Sequence, residues 1–503
     1  MQIYNNPMEG IIFMRKKMSK KLLAVALSAG MALSLAACTS ADDNNGDGGN
    51  TGSGTTDPGT TDPGTTDPGT TDPDAGVSNI ITDADGNPID LGGMEIIIRN
   101  WWSPEEPAAP ANEYEEARDE YREWIQETYN FTIKEVAMSD WGSTPSDFVD
   151  FATSGGDGSY YVWVVRDDPA ITSAMASGLM YDLSTLDCLD FSEAKFQKNR
   201  LHEQYSKGGE IYAMFAGTSE ARTGVYFNKQ VLKDAGIEPD DIYDMQANGT
   251  WTWDAFAEMM AKVQRDTNND GIDDIFGLTV NEGNMTMAAI YSNGSELIGK
   301  DASGYVYKLE DPATVEALEW TVDMFNKYDN HDPEGAQWDY YKEEFLNGVV
   351  GFMVEDEYAG TPGNFLEDAE FEIGFVMFPA GPQGSLVNCW SNNPACIANV
   401  YDAETAWKIA FAYDLFTNEP AGYEDYNGYL STARQGIFDT RAVDETITMM
   451  SSAEHGMITY HGMIPNLNLG PDFTWGVGVG AVVSEKIEAI ATTWKTYVDE
   501  ANK

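Results

Sequence analysis

The sequence predicts an α/β fold of two lobes, in which each lobe is a mostly parallel sheet flanked by helices. The chain has 503 residues, more than an ordinary single domain, and 42% of them are apolar, which is enough for a large core. After residue 90, apolar runs of strand length alternate with segments whose apolar residues recur at helical spacing. Strands that alternate with helices through short links run parallel, because their crossover connections are right-handed.

The composition is strongly acidic. With 83 acidic and 29 basic residues, the formal net charge is -54 at pH 7. A surface of this sign repels nucleic acid and anionic lipid headgroups, so we expect no nucleic-acid partner. Such a charge is typical of a well-solvated extracellular surface, although it would also favour a cationic ligand.

Residues 1–37 have the pattern of a secretion signal. A basic region is followed over residues 22–36 by an apolar stretch that is short for a permanent membrane span. The stretch ends in Leu35-Ala36-Ala37-Cys38, which resembles a bacterial lipobox. The resemblance implies that Cys38 carries lipid and anchors the mature protein at the extracellular face of the bacterial cell membrane.

Residues 38–88 have the composition of a lipoprotein linker. Asp, Asn, Gly and Thr dominate, and the repeat TTDPG begins at Thr55, Thr60 and Thr65. Regular Pro and Gly with a charge in every repeat cannot form a packed core, so we predict a disordered, extended tether. The folded body is predicted over residues 89–503.

Three predicted strands of the first lobe, residues 94–99, 131–137 and 161–165, are each followed directly by polar and aromatic residues. In parallel sheets, ligands sit beyond the carboxyl ends of the strands. Indole faces pack against sugar rings, and charged groups bond the sugar hydroxyls. For the charged residues the alternative is a solvated rim. The candidate ligand contacts here are Trp101, Trp102, Asp140, Trp141, Arg166 and Asp167.

Residues 207–278 hold several short motifs in sequence. A short apolar strand leads into a helix that we expect Asn228 to cap and Gly236 to end. The motifs are Gly208-Gly209-Glu210-Ile211-Tyr212, Tyr226-Phe227-Asn228-Lys229, Ala235-Gly236 and Thr252-Trp253-Asp254-Ala255-Phe256. In this order they resemble the extracellular solute-binding proteins of family 1, the maltose-binding-protein-like sugar receptors of ABC importers.

This resemblance implies the two-lobed periplasmic-binding-protein-like fold of type II. Lobe 1 would comprise residues 89–220 and 385–420, and lobe 2 would comprise residues 221–384 and 421–503. Glu220 and Arg222 would lie where the chain first crosses between the lobes. Their side chains either face the ligand cleft or form a hinge ion pair, and the sequence leaves both open.

The second lobe contributes further candidate ligand contacts. The run Phe345–Val354, which resembles the family's helix-and-strand element, leads into the candidate contacts Glu355, Asp356 and Tyr358. For Glu355 and Asp356 a ligand-facing position and a solvated rim are both open. Trp390 follows the return crossing, and Trp475 lies in a loop rich in Gly and Pro. We expect these loop tryptophans to stack on a ligand, the alternative being core packing.

Residues 266–274 match the first nine positions of an EF-hand-like calcium loop. Carboxylate or amide oxygens fall at positions 1, 3, 5 and 9, a Gly at position 6 and a main-chain carbonyl at position 7. Position 12 is Gly277 instead of a bidentate Glu, so a plain Asx-rich turn is the alternative. The predicted ligands of a structural Ca²⁺ are Asp266, Asn268, Asp270, Ile272 and Asp274.

The sequence has few other features that indicate disulfides or catalysis. Cys389 and Cys396 can close a small disulfide loop or remain free thiols. The sequence contains no G-x-S-x-G, H-E-x-x-H or P-loop motif, so we expect no catalytic site.

Together these features predict a monomeric, lipid-anchored receptor that captures a carbohydrate, most simply an oligosaccharide. Its lobes would close on the ligand, and the permease of an ABC importer would then receive it. Two alternatives remain open at this point. One is a receptor for a cationic peptide or polyamine, since indoles also bind cations, and the other is a surface glycosidase with paired carboxylates.

Overall fold

A computed structural model describes residues 80–503, except for residues 106, 391, 392 and 425. The side chains of residues 390, 471, 472 and 475 are also outside the description. The predicted signal segment, Cys38 and the TTDPG repeats lie outside the described residues. The described chain begins with a turn in which Thr82 bridges to Pro88, and the N–H of Ile81 donates to the hydroxyl of Tyr129.

Strands and helices alternate through most of the described chain. The strands are β1 (Met94–Asn100), β2 (Phe131–Ala137), β3 (Tyr160–Val164), β4 (Ser206–Lys207), β5 (Glu210–Ile211), β6 (Thr223–Asn228), β7 (Phe276–Val280), β8 (Ile298–Asp301), β9 (Gly304–Tyr307), β10 (Val350–Asp356), β11 (Ile373–Met377), β12 (Asn388–Trp390), β13 (Ala395–Cys396) and β14 (Gly456–Ile458). The α-helices are α1 (Glu113–Tyr129), α2 (Thr144–Ser154), α3 (Pro169–Ala176), α4 (Ala194–Gln197), α5 (Leu201–Gln204), α6 (Lys229–Asp234), α7 (Asp240–Ala247), α8 (Trp253–Val263), α9 (Glu282–Ser292), α10 (Pro312–Tyr328), α11 (Tyr340–Leu346), α12 (Ala403–Phe416), α13 (Gly428–Ala433), α14 (Thr448–Met450), α15 (Leu469–Asp472) and α16 (Val483–Ala501).

The first sheet has the strand order β13-β3-β1-β2 and defines the first lobe. Strand β1 runs parallel to both β2 and β3, as the alternation of strands and helices predicts. The added strand β13 comes from much later in the chain and pairs with β3 in the antiparallel sense. The carboxyl ends of β1, β2 and β3 therefore lie at the same edge of this sheet.

The second sheet has the strand order β11-β6-β10-β7 and defines the second lobe. Strands β7 and β10 are parallel, but β6 runs antiparallel to both β10 and β11. A mostly parallel sheet is thus found in the first lobe, whereas the second sheet is mixed. Strand β6 is the first strand of this sheet in the chain, and both of its partners, β10 and β11, come later.

The buried apolar residues fall into separate cores that correspond to the two sheets. The largest core lies between residues 221 and 378 and between residues 433 and 498. Two smaller cores occupy residues 91–214 and 395–416, and Met463 joins one of them. The two lobes therefore each bury their own apolar surface, which is the condition for moving as separate bodies.

The helix after β6 begins and ends as predicted. The side-chain oxygen of Asn228 accepts from the N–H groups of Gln230 at 3.0 Å and Val231 at 3.2 Å. Gly236 has a φ of 73°, in the left-handed region that glycine adopts without strain. Among the described residues, no helix is both long and apolar enough to cross a membrane.

Candidate functional site

Arg166 and Trp141 form the aromatic part of the site in the first lobe. Arg166 follows β3, and its guanidinium carbon lies 4.0 Å from the centroid of the Trp141 ring. Its Nε donates to the carbonyl of Trp141 at 2.9 Å, and its terminal nitrogen lies 2.8 Å from Asp168. Asp168 is fixed in turn because its carboxylate caps helix α3. The indole is thereby positioned while 60% of it stays exposed.

Asp167 is held by side chains of the first lobe and lies against the main chain at Gly462. Its carboxylate accepts from the hydroxyl of Tyr205 and, at 3.5 Å, from Gln204. A Cβ atom placed on Gly462 would lie 2.8 Å from this carboxylate, so only glycine permits so close an approach of the main chain. The hydroxyl of Thr172 also donates to the carbonyl of Gly462. His461, the residue before Gly462, lies with its Nδ1 atom 3.2 Å from the hydroxyl of Tyr291, a core residue of the second lobe, so Asp167 lies close to where the two lobes meet.

The two crossing segments are joined by Asn388, which is only 1% exposed. Its side-chain oxygen accepts from the N–H of Arg222 at 2.9 Å, and its amide donates to the carbonyls of Glu220 at 3.0 Å and Met450 at 2.9 Å. The side chains of Glu220 and Arg222 form an ion pair of 3.0 Å. The hinge ion pair that the sequence left open is thus present, within a buried network.

At the end of β10, neighbouring residues point in different directions. Glu355 is 1% exposed and accepts from Asn284 at 2.7 Å and from the hydroxyl of Tyr341. The structure therefore places Glu355 in the interior of the second lobe instead of on the cleft rim. Asp356 accepts from the hydroxyl of Thr223 at 2.7 Å and is less buried. Successive strand residues face opposite sides, which explains the difference.

Charged groups of both lobes act on the thiol of Cys389. Burial raises the pKa of Cys389 to about 12, and the thiol lies 3.9 Å from the hydroxyl of Thr459, which lowers the pKa. The carboxylates of Asp167 and Asp356 add to the rise, and the guanidinium of Arg222 opposes it. These three charges come from the first lobe, the second lobe and the crossing segment, and each lies close enough to Cys389 to act on its thiol.

Two residues that the sequence analysis missed complete this region. Burial raises the pKa of Glu357 to about 7, although a hydrogen bond from Tyr429 opposes the rise. The hydroxyl of Tyr429 also accepts from the N–H of Ala221 at 3.2 Å. Glu357 directly follows the predicted contacts Glu355 and Asp356, and this position was a usable signal. No motif marks Tyr429, so the sequence gave no signal for it.

The other predicted ligand contacts of which the structure describes the side chains differ in exposure and in their neighbours. The rings of Trp101 and Trp102 pack edge to face with centroids 4.9 Å apart. Trp101 lies against one of the two smaller cores, in the first lobe, and Trp102 is 51% exposed. The carboxylate of Asp140 accepts from the N–H of Ser143 at 2.7 Å, and this bond lowers its pKa. Tyr358 is 41% exposed.

Four further side chains concern predictions that the sequence left open. The side chains of Trp390 and Trp475 lie outside the described residues, so their stacking role stays a prediction. Cys389 and Cys396 are free thiols, and the small disulfide loop is not formed.

The predicted calcium loop folds around its own acidic residues. The carboxylate of Asp266 accepts from the N–H groups of Gly271 at 2.7 Å and Asn269 at 2.6 Å, and these bonds lower its pKa. The carboxylate of Asp274 accepts from the hydroxyl of Thr267 at 2.6 Å and from the amide of Asn268 at 3.0 Å. The loop turns through Asn269 and Gly271, which both have positive φ.

This donor set suits a hard cation such as Ca²⁺, because the ligand atoms are oxygens of carboxylate, amide and main-chain groups. A low pKa keeps Asp266 and Asp274 ionised at neutral pH. The bidentate Glu expected at position 12 is absent, and one carboxylate oxygen of Asp273 accepts from the amide of Gln264 at 3.0 Å. The residues present therefore fit a weak calcium site better than a tight one.

Comparison with known proteins gives a consistent result. A family model described as bacterial extracellular solute-binding protein matches residues 136–410. The arabinooligosaccharide-binding protein of Bacillus subtilis (strain 168) is 26% identical over 204 residues, which are 38% of this chain and 40% of that protein. The chain thus matches two fifths of the length of this curated relative.

Solved structures extend the likeness to the fold. The cyclic alpha-maltosyl-1,6-maltose binding protein from Arthrobacter globiformis has a TM-score of 0.56 at 15% identity and covers 82% of this chain and 100% of its own. An ABC substrate-binding protein from Listeria monocytogenes in complex with cycloalternan has a TM-score of 0.52 at 16% identity, with 82% and 98% covered. The two-lobed type II fold predicted from the sequence is confirmed. Because the family model spans residues 136–410, more than half of the 503 residues, the chain belongs to the bacterial extracellular solute-binding protein family.

Proposed function

We propose that this protein captures an oligosaccharide between its two lobes and delivers it to the permease of an ABC importer. The relative from Bacillus subtilis is named for arabinooligosaccharides, and the protein from Arthrobacter globiformis is named for a cyclic maltosyl-maltose. Both names support a carbohydrate ligand of more than one sugar. The protein performs no chemistry on the ligand in this proposal.

What carries the proposal is that the charges of Asp167, Arg222 and Asp356 all act on the thiol of Cys389, beside the crossing between the lobes. Carboxylates and a guanidinium are the groups that bind sugar hydroxyls in pairs of hydrogen bonds. Trp141 comes after β2 and Asp167 comes after β3, so both lie at the same edge of the first sheet. The exposed indole of Trp141 offers a flat apolar face to a ligand. Contacts from both lobes favour the closed state, because only that state lets a ligand make all of them.

A receptor for a cationic solute is the second candidate, and the acidic composition favours it. In the site itself, however, Arg222 and Arg166 lie among the carboxylates and offset their charge. A neutral polyhydroxyl ligand suits such a mixed set of charges better than a polyamine does. A surface glycosidase would need two carboxylates that flank the bound sugar.

A thermal-shift screen tests these candidates directly. Oligosaccharides of arabinose and of glucose, basic peptides and polyamines are added separately to the mature protein. A ligand that binds only the folded state stabilises it by about 2.7 kcal/mol at a hundred times its dissociation constant. We expect a raised melting temperature with an oligosaccharide. A shift with polyamines alone would favour the cationic-solute receptor, and release of shorter sugars during incubation would identify a glycosidase.

We also propose that the protein is monomeric and is held at the extracellular face of the cell membrane by lipid on Cys38. The lipobox-like sequence before Cys38 supports this anchor, and the family is extracellular. Mass spectrometry of the protein from its native membrane is expected to find Cys38 as a lipid-modified first residue. An unmodified thiol at Cys38 would contradict the anchor.

Finally, we propose that the loop at residues 266–274 binds a structural Ca²⁺ ion. The oxygen ligands would be those of Asp266, Asn268, Asp270 and Asp274 and the carbonyl of Ile272. The ion would hold the loop between helix α8 and strand β7 in one conformation, and we assign it no role in ligand chemistry.

A further inference from the structure

A second group of ionisable side chains lies in the second lobe and shares no residue with the site described above. His331 and Asp332 lie in the loop between helices α10 and α11, and Glu344 lies within α11. One ligand atom from each of these residues lies within 4.8 Å of the other two. The group combines an imidazole with two carboxylates, so it is not merely a patch of acidic surface.

Two of these side chains are buried and incompletely bonded. Glu344 is 4% exposed, and the side chain of His331 is 10% exposed. The Nε2 atom of His331 lies 2.9 Å from an oxygen of Glu344, but it is not aligned for a hydrogen bond. The other carboxylate oxygen of Glu344 has no hydrogen-bond partner either. A buried polar atom without a partner costs about 1–3 kcal/mol, so both atoms point to a missing ligand.

The imidazole plane is held in place by its neighbour. The ring of His331 stacks on Phe276, the first residue of β7, with centroids 3.8 Å apart and an interplanar angle of 1°. A fixed ring plane directs the Nε2 lone pair, which is the donor that a metal ion needs. Asp332 is exposed and leaves a route by which an ion can enter.

We propose that His331, Asp332 and Glu344 form a binding site for a divalent transition-metal ion, of which Zn²⁺ fits these ligands best. Zn²⁺ binds imidazole nitrogen and carboxylate oxygen with bonds of about 2.0–2.2 Å, and water fills its fourth position. Ligand atoms around such an ion are about 3.3 Å apart, so the His331–Glu344 pair already has a suitable separation. A carboxylate oxygen of Asp332 lies within 4.8 Å of both atoms. Ca²⁺ and Mg²⁺ prefer oxygen ligands throughout, and the imidazole disfavours them.

The test is calorimetric titration of Zn²⁺ into the mature protein after treatment with a chelator. We expect one ion to bind per chain. Glu344→Gln and Asp332→Asn should each weaken the binding at least tenfold, because even indirect partners of metal ligands contribute about 10–100-fold. Glu343→Gln is the matched control, since this exposed glutamate precedes Glu344 on the same helix. Asp270→Asn in the predicted calcium loop should also leave Zn²⁺ binding unchanged.

A wild-type protein that binds no stoichiometric Zn²⁺ would overturn the proposal, as would variants that bind it as tightly as the control does. If Glu344→Gln fails to fold, Asp332→Asn decides the result, because Asp332 is exposed and supports no core. Oligosaccharide binding is measured on the same samples without metal. A loss of Zn²⁺ binding with sugar binding intact would separate this site from the cleft.

Discussion

The guanidinium of Arg166 lies over the ring of Trp141 at 4.0 Å and bonds the carbonyl of the same residue at 2.9 Å. The two residues come from different strand ends of one sheet and fix each other without burying the indole. A preorganised, exposed indole is the arrangement that a stacking ligand needs, because little conformational entropy is lost when the ligand binds.

We predict that Trp141→Ala weakens oligosaccharide binding at least tenfold, since the truncation of an indole at a binding hot spot costs about 2 kcal/mol or more. The free energy of unfolding should fall by less than about 1 kcal/mol, because the side chain is 60% exposed. Calorimetry and urea unfolding measure the two effects. Trp338→Ala, at an 80% exposed indole, is the matched control and should leave affinity unchanged. A stability loss of about 3–5 kcal/mol with intact affinity would show that Trp141 is a core residue.

Asn388 is expected to stabilise the hinge. Asn388→Ala removes two hydrogen bonds to the backbone of the first crossing, at Glu220 and Arg222, and one to the backbone of Met450. Because the site is buried, we predict a loss of about 3 kcal/mol or more in the free energy of unfolding. Asn399→Ala is the control, since the exposed amide of Asn399 donates at 2.9 Å to the carbonyl of Gly178. Equal losses in both variants would contradict a special role for Asn388.

The sequence predicted the parts of the site that depend on local order. Arg166, Asp167 and Asp356 follow strands directly, and short apolar runs mark where those strands end. Contacts between distant segments were not predictable: Tyr429 reaches Ala221 across 208 residues, and Asn388 reaches Arg222 across 166. No local pattern encodes such pairings, because they depend on how the lobes pack.

The position of Glu355 shows a second limit of predicting the site from the sequence. Six of the seven residues of β10 are buried, so the strand has no alternation of polar and apolar residues. Without that alternation, the sequence does not tell which face of the strand points to the cleft. Glu355 and Asp356 were therefore treated alike, although one is interior and the other is not.

The buried position of Glu355 predicts a dependence of stability on pH. Burial first, and the charge of Asp356 second, raise its pKa from the usual 4.5 to about 7 in the folded state. The contribution of Glu355 to the free energy of unfolding is fully present below about pH 4.5 and is lost as the pH rises through 7. The loss is on the order of 3 kcal/mol by pH 8. Relative to wild type, Glu355→Gln should show a smaller fall in the free energy of unfolding between pH 5 and pH 8.

Urea unfolding at several pH values measures this fall. Glu343→Gln, at an exposed position, should follow the wild-type profile. A variant Glu355→Gln whose profile also matches wild type would show that Glu355 does not titrate between pH 5 and pH 8.

The calcium loop gives the last prediction. Asp266 and Asp270 supply positions 1 and 5 of the loop, so Asp266→Ala with Asp270→Ala should abolish calcium binding. A site without the bidentate Glu belongs with weak extracellular sites, whose dissociation constants are about 10⁻⁴–10⁻³ M. Calcium at ten times that constant stabilises the native state by about 1.4 kcal/mol, which we expect to raise the melting temperature of the wild-type protein by about 2 °C. The double variant should melt at the same temperature with calcium and with chelator. Asp119→Ala with Glu120→Ala removes the same charge from an exposed face of α1 and should keep the calcium response. If the wild-type protein itself melts identically with calcium and chelator, the hydrogen bonds of Asp266 and Asp274 alone account for the loop, and no ion is needed.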